Sequence, residues 1–217
     1  MDPERARIQA DLSGLIEGEV HCDATFLQMY ASDASIYEIP PLGVVRPAST
    51  ADVVACVQYA AENQISLIPR GAGSNVAGAC VGKGLILDFS FSMRQIQAVG
   101  KDTVTVQPGV VIGDLNRHLK AHGQLFGPDP ATRNVTTVGG TLAMNTSGSH
   151  WVRYGAPRET IMRLQMVLST GEVAEFDSQE NATISKTFPS LRAQLLAGRV
   201  RRVISSNEEL IAEHRPQ

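Results

Sequence analysis

The sequence RGAGSNVAG occupies residues 70–78, directly after a predicted strand at residues 65–68. Glycine tolerates a positive φ, so the three glycines of this stretch allow backbone N–H groups to converge on one anion. The stretch therefore predicts a loop that holds phosphate groups. A plain connection between two strands is the alternative, because a glycine-rich loop alone is a weak signal.

Two common nucleotide-binding loops do not match this stretch. A P-loop requires Lys and then Ser or Thr after its last glycine, but Ala79 and Cys80 follow Gly78. The Rossmann fingerprint has its third glycine where Val76 stands, and it continues into a helix. Residues 79–84 are too few for a helix before the next predicted strand. The loop thus predicts neither nucleoside triphosphate hydrolysis nor a Rossmann-type NAD site.

A second polar, glycine-rich segment begins about fifty residues after the first loop, at Gly127–Pro130. Thr136–Gly140 then leads into a short predicted helix at residues 141–144, and free N–H groups at a helix start can bind an anion. Asn145–Gly148 adds amide and hydroxyl groups that can bond the polar edge of a ring. Two phosphate-binding loops and a polar loop suit an extended dinucleotide; two unrelated loops are the alternative.

Hydrophobic periodicity over the whole chain predicts an α+β fold, with two βαβ-like units first and a more β-rich segment after a seam near residues 90–110. The predicted helices are residues 4–15, the stretch capped by Ser49 or Thr50, residues 112–123, and a C-terminal region through Leu191, Leu195 and Leu196. The predicted strands are residues 43–47, 65–68, 85–89 and 104–106, and a hairpin at 164–168 and 173–176. Ser206 and Glu209 match a capping box for a last helix. Asp88 is predicted to brace the loop at Gly84.

The composition excludes several classes of protein. The 217 residues are 43% hydrophobic, which argues against a disordered chain, a collagen-like repeat or a coiled coil. The 19 basic and 22 acidic side chains give a net charge of −3 without a basic stripe, so nucleic acid is not an expected partner. No apolar run approaches the ~20 residues that span a bilayer. The N-terminus has no signal-peptide core, which predicts a cytoplasmic protein.

Cysteine and histidine spacing predicts no metal site. Cys22, Cys56 and Cys80 form no CxxC pair, so we expect three ordinary, partly buried thiols. His118 and His122 are four residues apart on a predicted helix, a spacing that can chelate a metal. No third ligand accompanies them, and a packing or surface role is the expectation.

Five motifs in fixed order carry a family resemblance: PRGAGSNVAG, LILDFS, VTVQPGV, GPDPATRNVTTVGGTLAMNTSG and RYG. Over about residues 30–177 they resemble the FAD-binding domain of the FAD-linked oxidases, the family of vanillyl-alcohol oxidase and p-cresol methylhydroxylase. The most similar branch contains the glycolate oxidase, D-lactate dehydrogenase and D-2-hydroxyglutarate dehydrogenase flavoproteins. The resemblance implies an α+β fold of two subdomains with FAD between them.

Carried over by position, the resemblance implies that the first loop holds the pyrophosphate, the second segment lines the other side of the cofactor, and residues 145–148 approach the isoalloxazine. The implied cofactor-binding residues are Arg70, Gly71, Ala72, Gly73, Ser74, Asn75, Gly78, Pro128, Asp129, Thr132, Thr137, Gly139, Gly140, Asn145, Ser147, Gly148 and Tyr154. Relatives that attach FAD covalently through this loop have His where Ser74 stands, so the flavin is expected to be non-covalent. His150 and Arg153 are either cations near the flavin or solvated loop charges.

The resemblance also implies a domain plan: a helical lead-in over 1–40, subdomains over 41–100 and 101–177, and at 178–217 the helical start of a segment truncated before the C-terminal substrate domain. The implied enzyme is a dehydrogenase that oxidises a 2-hydroxy acid such as glycolate, D-lactate or D-2-hydroxyglutarate. The residues around Tyr30 and the loop at 148–154 are similar to those of long bacterial fusions with an iron–sulfur half.

The expected electron acceptor is therefore an iron–sulfur centre in the missing part, or a quinone or ferredoxin. No catalytic residue is assigned, because the family supplies most of them from its cap domain. A self-standing FAD carrier or electron-transfer subunit is one alternative. An interaction domain that binds no flavin is another.

Overall fold

The computed structural model describes residues 2–177 and 190–215. The chain divides into two compact units: Met1–Thr160 with Ser169–Gly171, and Ile161–Leu168 with Glu172–Gln217. The domain boundaries expected at residues 40, 100 and 177 stay a prediction, and residues 178–189 of the expected helical segment lie outside the described residues.

The first unit mixes short strands with helices. Its elements are α1 (Pro3–Ser13), β1 (Glu19–His21), α2 (Ala24–Gln28), β2 (Gly43–Arg46), α3 (Thr50–Glu62), β3 (Leu67–Arg70), β4 (Leu85–Asp88), β5 (Ile96–Val99), β6 (Val104–Val106), α4 (Ile112–Lys120), α5 (Val138–Met144), α6 (Trp151–Tyr154) and α7 (Pro157–Thr160). The sequence patterns predicted most of these, but not β1, α2, β5, α6 or α7.

A four-stranded sheet in the order β1-β2-β4-β3 forms the centre of this unit. β2 and β3 both run parallel to β4, and β1 pairs antiparallel with β2. Every residue of β4 is buried, as expected for a central strand covered on both faces. Ser49 caps α3 by accepting a hydrogen bond from the Asp52 amide, as predicted.

The expected pair of βαβ-like units is wrong in one respect. Within the described residues, β2–α3–β3 is a single crossover, and β4 enters between its two strands through the glycine-rich loop without a helix. The glycine-rich loop therefore begins at residue 71, directly after the carboxyl end of β3.

A second hydrophobic core lies around α4. Ile112, Leu115 and Leu119 lie on its inner face, and they pack with Val110 and Val138. The antiparallel pair β5–β6 covers this core through partly buried side chains. Because Val138 is the first residue of α5, the same core fixes the start of the helix that lies within the second predicted loop segment.

The second unit contains a hairpin and two helices. Its elements are β7 (Arg163–Val167), β8 (Val173–Asp177), α8 (Leu191–Ser206) and α9 (Glu208–His214). The hairpin of β7 and β8 was predicted. Ala174 in β8 and Ala193 in α8 form the small hydrophobic core of this unit. No helix in residues 2–177 or 190–215 is long and apolar enough to cross a membrane.

The predicted capping box in this unit is wrong. Ser206 is the last residue of α8, and Asn207 occupies the N-cap of α9 without a side-chain cap bond. The motif matches locally, but α8 extends as far as Ser206 itself, because nothing between Arg201 and Ser206 stops the helix. A capping box requires an extended N-cap residue, which Ser206 is not.

Candidate cofactor site

The glycine-rich loop presents a row of unpaired backbone amides. Gly73 and Gly78 have φ values of 67° and 77°, which explains why glycine stands at both positions. Within the described residues, the amides of Gly71, Ala72, Gly73 and Ser74 donate to no other group. Unpaired amides in a loop that is not fully buried are suited to an anionic ligand. Whether this loop binds phosphate stays a prediction.

The Arg70 side chain holds the loop in this shape. Its guanidinium donates to the carbonyl oxygens of Ser32, Cys80 and Tyr30 at 2.8, 3.1 and 3.3 Å. The amide of Ala34 donates to the carbonyl of Gly73 at 3.1 Å. Arg70, which the resemblance assigned to the cofactor, is thus bound by three backbone carbonyls, and it contributes to the site by fixing the backbone.

Asn75 closes the loop from within. Its Oδ1 accepts hydrogen bonds from the amides of Ala77 and Ala79 at 2.8 and 3.0 Å, a typical Asx turn. The Asn75 side chain therefore turns the backbone toward β4 and fixes the end of the loop at Gly78. This role was not foreseen from the sequence.

The fold brings the two predicted loops together. Ser74 Oγ lies 3.5 Å from Thr136 Oγ1, and Thr136 Oγ1 lies 2.6 Å from Thr132 Oγ1. A Cβ atom at Gly71 would overlap Thr137 Oγ1, so only glycine permits this approach. Segments that are about sixty residues apart in sequence thus line one surface, as the dinucleotide hypothesis requires.

The prediction of free N–H groups at the start of α5 is wrong. The amides of Val138 and Gly139 donate to the carbonyls of Val110 and Pro108 at 2.7 and 2.8 Å, and the Gly140 amide donates to Thr137 Oγ1 at 3.2 Å. The physical reason is that residues 108–110 lie alongside the helix start and supply acceptors. Thr137 also caps the helix, which begins three residues earlier than predicted. Gly139 serves close packing, because its Cβ would lie 2.8 Å from Pro108 Cβ.

The polar loop at residues 145–148 is attached to Asp129. The Asp129 amide donates to the Ser147 carbonyl at 2.9 Å, and the Ser149 amide donates to the Asp129 carbonyl at 3.3 Å. A Cβ at Gly148, whose φ is 82°, would overlap the Asp129 carbonyl. Pro128 is buried beside this contact. These predicted residues therefore form one cluster.

Asp129 is also the centre of a charged cluster that the sequence did not reveal. Its two carboxylate oxygens accept from Arg133 Nη1 and pair with His150 Nδ1, both at 2.8 Å. The hydrogen bond from Arg133 lowers the pKa of Asp129, and His150 acts in the same direction. His150 therefore contacts the Asp129 carboxylate directly and is not a purely solvated side chain. Arg133 and Asp129 are four residues apart, a spacing that could have indicated this pair.

The remaining predicted residues have structural contacts in the same unit. Asn145 ends α5 in the left-handed region, with φ 50°, and its Oδ1 accepts from the Arg158 amide at 3.2 Å. The Tyr154 ring packs against Gly127, whose Cβ would lie 2.6 Å from that ring. Arg153 lies 5.3 Å from the centre of the Tyr154 ring.

Asp88 does not brace Gly84 as predicted. Its carboxylate accepts from the Tyr30 hydroxyl at 2.7 Å and from the amide and hydroxyl of Ser90 at 2.8 and 2.6 Å.

No group of three or more metal-binding side chains occurs in the part of the chain that the structure describes.

A flavin dinucleotide fits this surface. The unpaired amides of residues 71–74 can bond phosphate oxygens. The glycine-rich loop is therefore the part of the chain that would hold the phosphates of FAD. The cofactor contacts expected in the 128–140 segment and the 145–148 loop stay a prediction.

Comparison with known proteins agrees with this reading. The family model for the FAD binding domain matches residues 41–177. The glycolate oxidase subunit GlcD of Bacillus subtilis is 30% identical over 149 residues, which cover 67% of this chain and 32% of that protein. The D-2-hydroxyglutarate dehydrogenase of Escherichia coli is 32% identical over 173 residues, which cover 73% of this chain and 17% of that protein.

The fold comparison gives the same result. The 6-hydroxy-D-nicotine oxidase of Arthrobacter nicotinovorans superposes with a TM-score of 0.67 and 25% identity, over 77% of this chain and 37% of that one. The expected α+β fold of the p-cresol methylhydroxylase type is confirmed. This chain spans about a third or less of the two curated relatives it matches. The chain belongs to the FAD-binding domain family of the FAD-linked oxidoreductases.

Proposed function

We propose that this chain is the FAD-binding part of a dehydrogenase that oxidises a 2-hydroxy acid such as glycolate, D-lactate or D-2-hydroxyglutarate. The observation that carries the cofactor part of the proposal is the row of unpaired amides at Gly71–Ser74 beside Thr136 and Thr137. The names of the relatives, a glycolate oxidase subunit and a D-2-hydroxyglutarate dehydrogenase, support the substrate class.

The residues of this chain bind and orient rather than react. The amides of Gly71–Ser74 would donate to the pyrophosphate, and Arg70 would keep them aligned by holding the carbonyls of Tyr30, Ser32 and Cys80. The 145–148 loop would bond the polar edge of the isoalloxazine, since Asp129 fixes its backbone. Bound FAD would supply a hydride acceptor for oxidation of the hydroxyl-bearing carbon. We assign no catalytic residue to this chain.

The flavin would be held without a covalent bond, because Ser74 carries a hydroxyl and not the imidazole that the covalent relatives have. The electron acceptor belongs to the same proposal: an iron–sulfur centre outside this chain, a quinone or a ferredoxin. A cytoplasmic location, predicted from the N-terminal sequence, also stays a proposal.

The first test is an FAD titration of the purified chain, followed by visible absorbance and by quenching of Trp151 fluorescence. We expect a flavin spectrum that remains after gel filtration, and yellow colour that leaves with the supernatant after acid precipitation. Colour that stays with the precipitate would contradict the non-covalent site. A chain that binds no FAD would contradict the cofactor proposal.

The second candidate function is an FAD carrier without its own substrate chemistry. A reduction experiment distinguishes it from a dehydrogenase. Anaerobic addition of each hydroxy acid to the whole protein with bound FAD should bleach the flavin absorbance if the protein is a dehydrogenase. Bound flavin that none of the three acids reduces, but that a partner protein reduces, would favour the carrier.

A further inference from the structure

A segment at residues 31–39 folds back onto the glycine-rich loop. The amide of Ala34 donates to the Gly73 carbonyl at 3.1 Å, and Cys80 Sγ donates to Asp33 Oδ2 at 3.2 Å. The Ile39 amide donates to the Ala31 carbonyl at 2.7 Å, which closes the segment on itself. The segment is therefore held against both the middle and the end of the loop.

Within this segment, the Tyr37 ring lies on the backbone at the end of the glycine-rich loop. A Cβ at Gly78 would lie 2.6 Å from Tyr37 Cδ2 and 3.2 Å from Cε2, so the ring touches the loop where only glycine leaves room. The residue as a whole is nevertheless 52% exposed. One part of it packs on Gly78, and the other part is open to a ligand bound along the loop.

The position of Tyr37 matches one particular part of the cofactor. Thr136 and Thr137 contact the first half of the loop, at Gly71 and Ser74, and the second segment continues to the polar loop assigned to the isoalloxazine. Tyr37 contacts the last residue of the loop instead. A dinucleotide carries one ring system on each side of its pyrophosphate, so phosphates bound at Gly71–Ser74 leave the adenosine for the Gly78 end.

We propose that Tyr37 is an FAD-binding residue whose ring stacks on the adenine. The inference rests on the proposed function, because it takes the pyrophosphate to lie on the amides of residues 71–74. Aromatic side chains bind bases through their π faces, and loss of one such contact weakens binding about tenfold or more. A half-exposed tyrosine beside a phosphate-binding loop has the flat surface that this contact needs.

The test compares three ligands on the full chain: FAD and FMN by fluorescence titration, and ADP by competition against bound FAD. FMN lacks the adenosine, and ADP lacks the flavin. We expect Tyr37→Ala to weaken FAD and ADP about tenfold or more and to leave FMN within about twofold. Tyr37→Phe keeps the ring and should bind all three ligands like the wild type. Ile36→Ala is the matched control, because the neighbouring Ile36 side chain is 94% exposed.

Each other outcome has a distinct meaning. Unchanged FAD and ADP affinity in Tyr37→Ala would overturn the adenine contact while leaving the proposed function intact. Equal weakening of FAD and FMN would also overturn it, because Tyr37 would then act only by supporting the loop. A wild-type chain that binds none of the three ligands would refute the proposed function and this inference together. Circular dichroism of the variants verifies that the fold is retained.

Discussion

Gly71 stands so close to Thr137 that a Cβ atom on it would overlap the Thr137 Oγ1. The same oxygen accepts the Gly140 amide at 3.2 Å, so one hydroxyl both caps α5 and contacts the glycine-rich loop. The two halves of the candidate site are therefore joined at a point where a side chain on Gly71 has no space. Any displacement of Thr137 would be transmitted to the start of α5.

Gly71→Ala is predicted to damage both stability and cofactor binding. Thr137 is almost fully buried and cannot move without losing its cap bond, so we expect a loss of about 1–3 kcal/mol in the free energy of unfolding. FAD affinity should fall with it, because the amide row begins at residue 71. Urea unfolding and FAD titration measure the two effects.

The matched control is Gly14→Ala. Gly14 has a negative φ, and a Cβ there would make only ordinary contacts, 3.5 Å or more from its neighbours. This variant should be neutral or more stable by up to about 1 kcal/mol. Equal behaviour of the two variants would contradict the steric argument.

Arg70→Ala is predicted to loosen the glycine-rich loop. Three carbonyl oxygens lose their charged donor, and we expect a loss of about 1.5–3 kcal/mol and faster hydrogen exchange at the Ala34 amide, which bonds Gly73. Arg70→Lys should recover only part of this, because an ammonium lacks the forked geometry of guanidinium. Arg117→Ala is the control: that side chain is 76% exposed in a surface ion pair, whose loss typically costs under 1 kcal/mol. An Ala34 amide that exchanges at the wild-type rate in Arg70→Ala would argue against the brace.

Local signals explain what the sequence could predict. The apolar run of β4, the Ser49 cap and the φ requirements of Gly73 and Gly78 each depend on neighbouring residues, and the structure confirms them. The meeting of the two loops was predicted through the dinucleotide hypothesis rather than through any contact rule.

Contacts between distant residues explain what the sequence could not predict. The acceptors that occupy the α5 amides come from Pro108 and Val110, and those that hold Arg70 come from two separate segments, at residues 30–32 and at Cys80. β1 is a three-residue strand whose pairing with β2 has no periodicity to detect. The role of Tyr37 likewise depends on a chain reversal at residues 31–39 that composition alone does not indicate.

The charged cluster at Asp129 predicts a specific acid sensitivity. The Arg133 hydrogen bond holds the pKa of Asp129 below its ordinary value of 3.8, and His150 contributes in the same direction against partial burial. A carboxyl with a lowered folded pKa stabilises the fold above its unfolded pKa, and this stability is lost as pH falls through the folded pKa. Wild type should therefore lose stability below about pH 4 more steeply than Asp129→Asn, which is measured by urea unfolding at several pH values.

Arg133→Ala tests the cause of this sensitivity. Removing the largest contributor should raise the Asp129 pKa toward its ordinary value and flatten the same part of the pH profile, with His150→Ala giving a smaller effect. Parallel profiles for wild type and Asp129→Asn would show that other carboxyls control acid unfolding.

The three cysteines are predicted to be unreactive in the folded chain. Cys22, Cys56 and Cys80 are buried and form no disulfide, and burial raises the pKa of Cys56 to about 12. Because the thiolate is the reacting species, a disulfide reagent at neutral pH should modify Cys56 only as fast as the chain unfolds. The pKa values of Cys22 and Cys80 are raised as well, chiefly by burial, so slow reaction is expected there too. Thiol titration in buffer and in concentrated urea measures this, with all three thiols reacting in urea; rapid labelling of Cys56 in buffer would contradict the buried position.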